Sequence, residues 1–180
     1  MILREVLRQV VTKLDLEDEI AIDDEIVTGD TAKKLLLVSN NVIREIASCY
    51  LPLLERERVK IENNRLDLTT LGRSLIKVIS LKNESGNNVR FKMYPTYMYA
   101  QNGVFDIVYS YLPSEINIDD VVEVDSRVSS DILANAIISE YMIMRGDVKV
   151  AEYYDRKYRE GLKNLCVEKR EIKLKGRVFI

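Results

Sequence analysis

The chain has 180 residues, of which 47% are hydrophobic and 31% are charged, and its formal net charge is -2. This composition is ordinary for a folded protein with a proper core and excludes wholesale disorder. No apolar run approaches the roughly 20 residues that cross a bilayer, so we expect no membrane partner. A protein that grips nucleic acid by its phosphates is usually basic or carries a basic stripe, and neither is obvious in this sequence.

Histidine is absent from the sequence. Its absence removes the usual general base near neutral pH, the activating partner of a serine or cysteine nucleophile, and the commonest zinc ligand. Cys49 and Cys166 are far apart, and both lie in helical patterns. We interpret them as small core residues of a protein from a reducing compartment. We therefore expect a protein that is not an enzyme and that holds no cofactor and no metal.

The first fifty residues predict two helices. Apolar residues recur at helical spacing over residues 2–15, which indicates a first amphipathic helix. Residues 15–30 then carry eight acids and no base, a pattern typical of a solvated linker. Asp30 or Thr31 suits the N-cap of a second helix over residues 30–51, which a proline then ends.

A block of strands is predicted over residues 57–111. The Asn63-Asn64 pair favours a two-residue hairpin because asparagine tolerates the positive φ that such turns require. Pairing outward from this turn sets Ile61 opposite Leu66, so that apolar meets apolar.

The strongest short-range turn signal is Asn102-Gly103. A hairpin at this turn sets Met98 opposite Ile107 on one face. With both hairpins in place, the block reads as an antiparallel meander of five or six strands.

A helical hairpin is predicted after the strands. Ser129 or Ser130 caps a third helix over residues 129–145. Its apolar residues cover much of its circumference, as in a helix that is deeply buried or lies between subunits. Gly146 suits the C′ position of that helix, and Asp147 suits the cap of a fourth helix over residues 148–166. The two helices form an antiparallel pair with a very short joint.

The last residues, 168–180, alternate apolar and charged positions and carry five bases and two acids, which indicates an extended basic arm. The predicted fold class is therefore α+β: a bundle of about four helices with an inserted antiparallel β-meander and an extended C-terminal arm. Residues 1–167 are predicted to form a single domain.

Two kinds of side-chain cluster, acid pairs and tyrosines, are candidates for a site. Asp119-Asp120 or Asp23-Asp24 could hold magnesium for phosphoryl transfer, although adjacent acids in loops are far more often solvated. Several tyrosines of the strand block could stack bases, but a stacking surface predicts interleaved Arg and Lys, and only Arg90 and Lys92 are near. Sheet packing or a protein contact is therefore preferred. These tyrosines are Tyr94, Tyr97, Tyr99, Tyr109 and Tyr111.

Three stretches carry a likeness to a known family. Residues 133–141 read LANAIISEY, residues 144–147 read MRGD, and residues 151–158 read AEYYDRKY. With the YSYLP exit from the strand block at residues 109–113, they resemble the head-to-tail adaptor (connector) proteins of tailed bacteriophages. The likeness covers the layout of most of the chain and the motifs of residues 109–162. The long acidic segment and the large strand block depart from the shortest connectors.

The resemblance implies a structural virion protein of the neck, assembled in the host cytoplasm. Members of this family form a closed homo-oligomeric ring, commonly twelvefold, beneath the portal protein. By this likeness the helices build the ring, the strand block meets the next tail component, and DNA passes through the channel without sequence-specific binding. The arm is then expected to dock into the portal through Lys169, Arg170, Ile172, Lys173, Leu174, Lys175, Arg177, Val178 and Phe179.

Two alternatives remain open at this point. The chain could be another neck or tail-completion component of a phage virion, because such proteins share the same contact chemistry. Less favoured is a metal-dependent carboxylate hydrolase, which would require acids that converge from separate strands.

Overall fold

The computed structural model describes residues 1–16 and 29–166. Within these ranges the chain forms four α-helices and two three-stranded antiparallel sheets, which confirms the α+β class. The helices are α1 (Leu3–Leu14), α2 (Asp30–Glu45), α3 (Ser130–Arg145) and α4 (Val148–Cys166). The strands are β1 (Leu53–Ile61), β2 (Arg65–Asp67), β3 (Ser74–Asn83), β4 (Lys92–Met93), β5 (Tyr97–Tyr99) and β6 (Gly103–Leu112). The strand block runs from Leu53 to Leu112 and thus extends beyond the predicted residues 57–111 at both ends.

The start of α2 differs from the prediction by one residue. Asp30 is the first helical residue, and the preceding Gly29 occupies the cap position without a side-chain hydrogen bond. The backbone N–H of Lys33 donates to the carbonyl of Gly29 at 3.2 Å. Gly29 has a φ of 153°, which L side chains rarely adopt, so glycine precedes the helix and Asp30 acts on the helix dipole from the first turn. A π-helical turn, Ile46–Tyr50, continues α2.

Helix α3 is the centre of the helical unit. It packs against α1, α2 and α4, and Leu133, Ile137 and Ile138 are fully buried, so the predicted deep burial is confirmed. Each such side chain contributes roughly 1.5–3 kcal/mol when it leaves water. The apolar faces of α1 and α2 complete this helical core, with Leu3, Val6, Leu7, Val10, Val11, Leu35, Val38, Val42 and Ile43.

The joint between α3 and α4 follows the predicted chemistry. The Ser129 hydroxyl accepts from the backbone N–H of Ile132 at 3.3 Å and caps α3. Gly146 ends this helix with a φ of 83°, and the Asp147 carboxylate accepts from the backbone N–H of Val150 at 3.3 Å at the start of α4. Both predicted caps and the helical hairpin are therefore confirmed.

The strands do not form the predicted meander. Sheet 1 has the order β1-β6-β3 and sheet 2 the order β2-β5-β4. The Asn63-Asn64 turn is present, with φ values of 53° and 58°, but the strands separate after it. Leu66 pairs with Met98 in sheet 2, and the predicted pairing of Leu66 with Ile61 is wrong.

The predicted hairpin at Asn102-Gly103 is also wrong. β6 leaves this point to become the central strand of sheet 1, where Ile107 pairs with Glu57 of β1 and Leu81 of β3. A Cβ at Gly103 would lie 3.1 Å from the ring of Phe105, so glycine permits the close approach of that ring. Five of the ten residues of β6 are buried. A strand that is buried to this extent is stabilised most when it pairs with a neighbouring strand on each side.

The two sheets enclose a strand core that shares no residue with the helical core. Its buried members are Ile61, Leu66, Leu71, Val78, Leu81, Met98, Ala100, Phe105, Ile107, Tyr109 and Tyr111. β6 meets the helical unit at the π-helical turn. The described residues thus form two cores joined at one end of sheet 1.

Candidate functional site

The predicted partner-binding residues lie outside the described residues. They are Lys169, Arg170, Ile172, Lys173, Leu174, Lys175, Arg177, Val178 and Phe179. The point from which that segment leaves is described: the carbonyl of Leu165 accepts from Nη1 of Arg127 at 3.4 Å, and Sγ of Cys166 lies 3.8 Å from the carbonyl oxygen of Tyr50. The last turn of α4 is therefore fixed against the end of α2 and the loop before α3.

Arg127 is itself held in place by Asp125. Its Nε donates to Oδ1 of Asp125 at 2.8 Å and its Nη2 to Oδ2 at 3.0 Å. This hydrogen bonding lowers the pKa of Asp125 and raises the pKa of Arg127. The bidentate geometry makes the ion pair directional, so the guanidinium is oriented towards the end of α4.

The tip of the helical hairpin exposes apolar side chains. Ile143, Met144 and Val148 are 55%, 51% and 58% exposed. They surround Gly146 and are held there by backbone hydrogen bonds that close the α3 terminus. We call these three residues the tip patch.

The interior of the helical unit contains titratable groups with shifted pKa values. Tyr158 is buried, its ring meets that of Tyr50 edge-on at 6.2 Å, and burial raises its pKa. Burial and the nearby Glu140 carboxylate raise the pKa of Glu45. These groups pack α4 against α2, and the shifts follow from that packing.

The acid pair considered for metal binding supports the start of α1. Nε of Arg4 donates to Oδ1 of Asp119 at 2.7 Å, and this hydrogen bond lowers the pKa of Asp119. Oδ2 of Asp120 accepts from the backbone N–H of Asn117 at 2.7 Å. The backbone carbonyl of Asp120 accepts from the backbone N–H of Leu3 at 3.1 Å. Over residues 1–16 and 29–166, no group of three or more acids and cysteines is arranged to hold a metal ion. The second pair, Asp23-Asp24, lies outside these ranges.

The five tyrosines of the strand block are divided between two sheets. Tyr109 and Tyr111 are buried, and their hydroxyls donate to the carboxylates of Glu57 and Glu123. Burial and these hydrogen bonds raise the pKa of both tyrosines to about 12. They support the strand core and are not available to a ligand.

The remaining tyrosines belong to sheet 2. Tyr94 and Tyr97 stack with their ring centroids 4.5 Å apart, and the guanidinium of Arg65 lies 4.2 Å from the Tyr97 ring. Tyr99 is 50% exposed. The predicted cluster is therefore not one continuous stacking platform.

Both cysteines are exposed free thiols, so the expectation that they are core residues is wrong. Cys49 lies in the π-helical turn, whose buried side belongs to Ile46 and Ala47. Cys166 is the last residue of α4. Helical spacing alone does not separate a core position from one that the final turn of a helix leaves uncovered.

A shallow groove of about 520 Å³ lies along β4 and β5. Val89, Phe91 and Ala100 give it an apolar base, the exposed Tyr99 ring lies beside them, and Arg90 and Lys92 supply positive charge. The alternation of apolar and basic residues over 89–92 is visible in the sequence. The alternation alone does not predict a groove, because the groove depends on the pairing of β4 with β5.

Comparison of the chain with protein-family models finds no match, and comparison with curated protein sequences finds none either. The likeness to connector proteins therefore rests on residues 109–162 of the chain itself. Among the helices of the described ranges, none is long and apolar enough to cross a membrane.

Proposed function

We propose that this chain is a head-to-tail adaptor of a tailed bacteriophage. In this role it is a structural, non-enzymatic virion subunit that forms a homo-oligomeric ring beneath the portal protein and joins it to the next tail component. The ring leaves a channel through which DNA passes. The observation that carries the proposal is the α3–α4 hairpin, whose Gly146 joint lies between the stretches that resemble the connector proteins and whose tip exposes apolar side chains.

The tip patch supports a role in protein contacts. Ile143, Met144 and Val148 are each more than half exposed, and contiguous apolar side chains on a surface mark interaction sites. Gly146 and the Asp147 cap fix the backbone between them. A rigid apolar tip of this kind suits contact between neighbouring subunits of a ring.

The fixed end of α4 supports a docking role for the segment that follows. Residues 168–180 carry five bases, two acids and alternating apolar residues, a pattern suited to adding a strand to the edge of a partner's sheet. The contacts of Leu165 and Cys166 fix where this segment begins. The portal is the proposed partner, and the nine residues named above are its proposed contacts.

Imaging of the purified chain with its portal tests this proposal. Electron microscopy and mass measurement should show a closed ring attached to the portal. Deleting residues 168–180 should abolish attachment and leave the helical circular dichroism signal and the thermal midpoint unchanged. A chain that stays monomeric at high concentration and does not bind the portal would contradict the proposal.

The same experiment separates the alternatives. A ring that binds the tail and not the portal would indicate a tail-completion component or another neck protein. The hydrolase hypothesis predicts divalent-metal-dependent activity that Asp119→Asn or Asp120→Asn removes. We do not favour it because both acids already bind groups at the start of α1 or in the loop beside it.

A further inference from the structure

The groove along β4 and β5 has the chemistry of a binding site for an extended acidic segment. Its base is apolar, and the exposed Arg90 and Lys92 have no carboxylate partner within the part of the chain that the structure describes. β4 is an edge strand, paired with β5 on one side only. A ligand that fits this surface therefore combines a short apolar stretch with negative charge beside it.

The chain itself contains such a segment. Residues 17–25 read EDE-IAI-DDE, which is three acids, three apolar residues and three acids. Their six carboxylates are accompanied by no base. We propose that Ile20, Ala21 and Ile22 of one copy dock into the groove of a second copy, with the flanking acids paired to Arg90 and Lys92.

The segment and the groove are attached to different cores, and we therefore assign the groove to the segment of a second copy. Leu16 is buried in the helical core, and only three residues lie between it and Ile20, so the tether is at most about 14 Å long. The groove lies beside sheet 2, and two of its lining residues, Val89 and Phe91 before β4, pack against the separate strand core. The segment is thus tied to one core and the groove to the other.

A contact between two different surfaces repeats head to tail from copy to copy. Such contacts generate a ring when the rotation between copies closes. The inference thus deepens the proposed ring and rests on that proposal for closure, whereas the contact itself can be measured without it. Because the segment carries six acids, the contact should weaken as salt screens the charges.

Peptide binding tests the contact directly. The probe is a fluorescein-labelled peptide of residues 15–28. The receptor is the full chain with Ile20→Ser and Ile22→Ser, so that copies of the receptor do not fill one another's grooves. Fluorescence anisotropy should show saturable binding that weakens at least about tenfold when salt rises from about 0.05 M to about 0.5 M. Adding Arg90→Glu and Lys92→Glu to the receptor should weaken binding at least about tenfold.

Two controls make the result specific. Lys149→Glu with Lys163→Glu changes the charge of the receptor equally, at exposed positions of α4, and should leave peptide affinity unchanged. A peptide with both isoleucines replaced by serine should bind at least about tenfold more weakly. Circular dichroism of each receptor confirms that it is folded. Peptide binding that is absent, or insensitive to Arg90→Glu and Lys92→Glu, overturns the inference.

The ring assay separates this inference from the proposed function. If the unmodified chain forms rings and Arg90→Glu with Lys92→Glu forms them equally well, the groove contact is overturned and the ring stands. If the peptide binds the groove while the full chain stays monomeric, the ring fails and the contact stands. Groove-dependent binding of a labelled oligothymidylate in place of the peptide also overturns the inference and identifies nucleic acid as the occupant.

Discussion

Gly161 of α4 lies against Ile132 of α3. A Cβ at this position would lie 2.8 Å from Cγ1 of Ile132, a separation that forces one helix to move. In an exposed helix, replacing glycine by alanine adds about 1 kcal/mol of stability. At this contact we expect Gly161→Ala to lower the free energy of unfolding by about 1–3 kcal/mol, because the added methyl overpacks the interface. Urea unfolding measures the difference.

The cause of this loss can be isolated with a second change. In an Ile132→Ala background the steric conflict is removed, so Gly161→Ala should cost little or add stability. Glu160→Ala, at the neighbouring exposed position, should change stability by less than about 0.5 kcal/mol. A gain in stability from Gly161→Ala alone would show that the two helices are not in close contact there.

Tyr109 and Tyr111 make stability depend on alkaline pH. Burial, followed by hydrogen bonds to Glu57 and Glu123, raises the pKa of each tyrosine to about 12. Between the unfolded pKa near 10 and the folded pKa, the folded state binds more protons, so the free energy of unfolding falls as pH rises through this window. Each tyrosine contributes a slope of at most about 1.4 kcal/mol per pH unit.

Removal of the two hydroxyls tests this dependence. The variant Tyr109→Phe with Tyr111→Phe should be less stable at neutral pH, because Glu57 and Glu123 lose hydrogen-bond donors. Its free energy of unfolding should also fall less steeply than that of the unmodified chain between about pH 10 and 12. Urea titrations at a series of pH values give both slopes, and equal slopes would rule out these tyrosines as the source.

At the scale of elements, local chemistry was sufficient for turns and caps but not for strand pairing. Ser129, Gly146 and the Asn63-Asn64 turn act on neighbouring backbone atoms, so their roles can be inferred from adjacent residues. The partner of a strand is chosen by the whole core, and alternation in β6 is equally compatible with several neighbours. The predicted meander agrees with the local turn signals of each hairpin. It does not include the burial that β6 obtains between β1 and β3.

A charge exchange between β1 and β6 tests the observed strand order. Nη2 of Arg56 donates to Oδ2 of Asp106 at 2.7 Å, whereas the meander would place Asp106 opposite Tyr99. We expect Arg56→Asp alone to destabilise the fold through like charges, and Arg56→Asp with Asp106→Arg to recover most of the loss. The expected coupling is about 0.2–1 kcal/mol, because the pair is partly exposed. A double-mutant cycle by urea unfolding with no coupling would contradict the β1–β6 register.

At the scale of the molecule, the candidate contact surfaces were predictable in part. The helical hairpin follows from residues 129–166, but the exposure of its tip depends on where the neighbouring helices stop. The groove needs β4 and β5 side by side, which no local pattern specified. The acidic residues 17–25 were assigned to a solvated linker, because charge without a visible complement indicates solvent exposure. Arg90 and Lys92 can be recognised as the charge complement of these acids only when the fold places them beside the apolar base of the groove.

The two separate cores make a prediction about cooperativity. Ile137 lies in the helical core and Ile107 in the strand core, and both are fully buried. Replacing either with alanine should cost about 2–5 kcal/mol. Because the cores share no residue and the units meet mainly at the π-helical turn and β6, we expect each variant to lose protection mostly in its own unit. Native-state hydrogen exchange, read by mass spectrometry over peptides from each unit, measures this directly.

Matched variants calibrate that experiment. Ile137→Val and Ile107→Val remove one methylene group each and should cost about 0.5–1.5 kcal/mol, with the same regional pattern at smaller amplitude. An equal loss of protection in both units for either alanine variant would show that the molecule opens as one cooperative body. A regional loss would mean that the helical unit can hold a ring together while the strand unit adjusts to a partner, because the opening of one unit does not require the opening of the other.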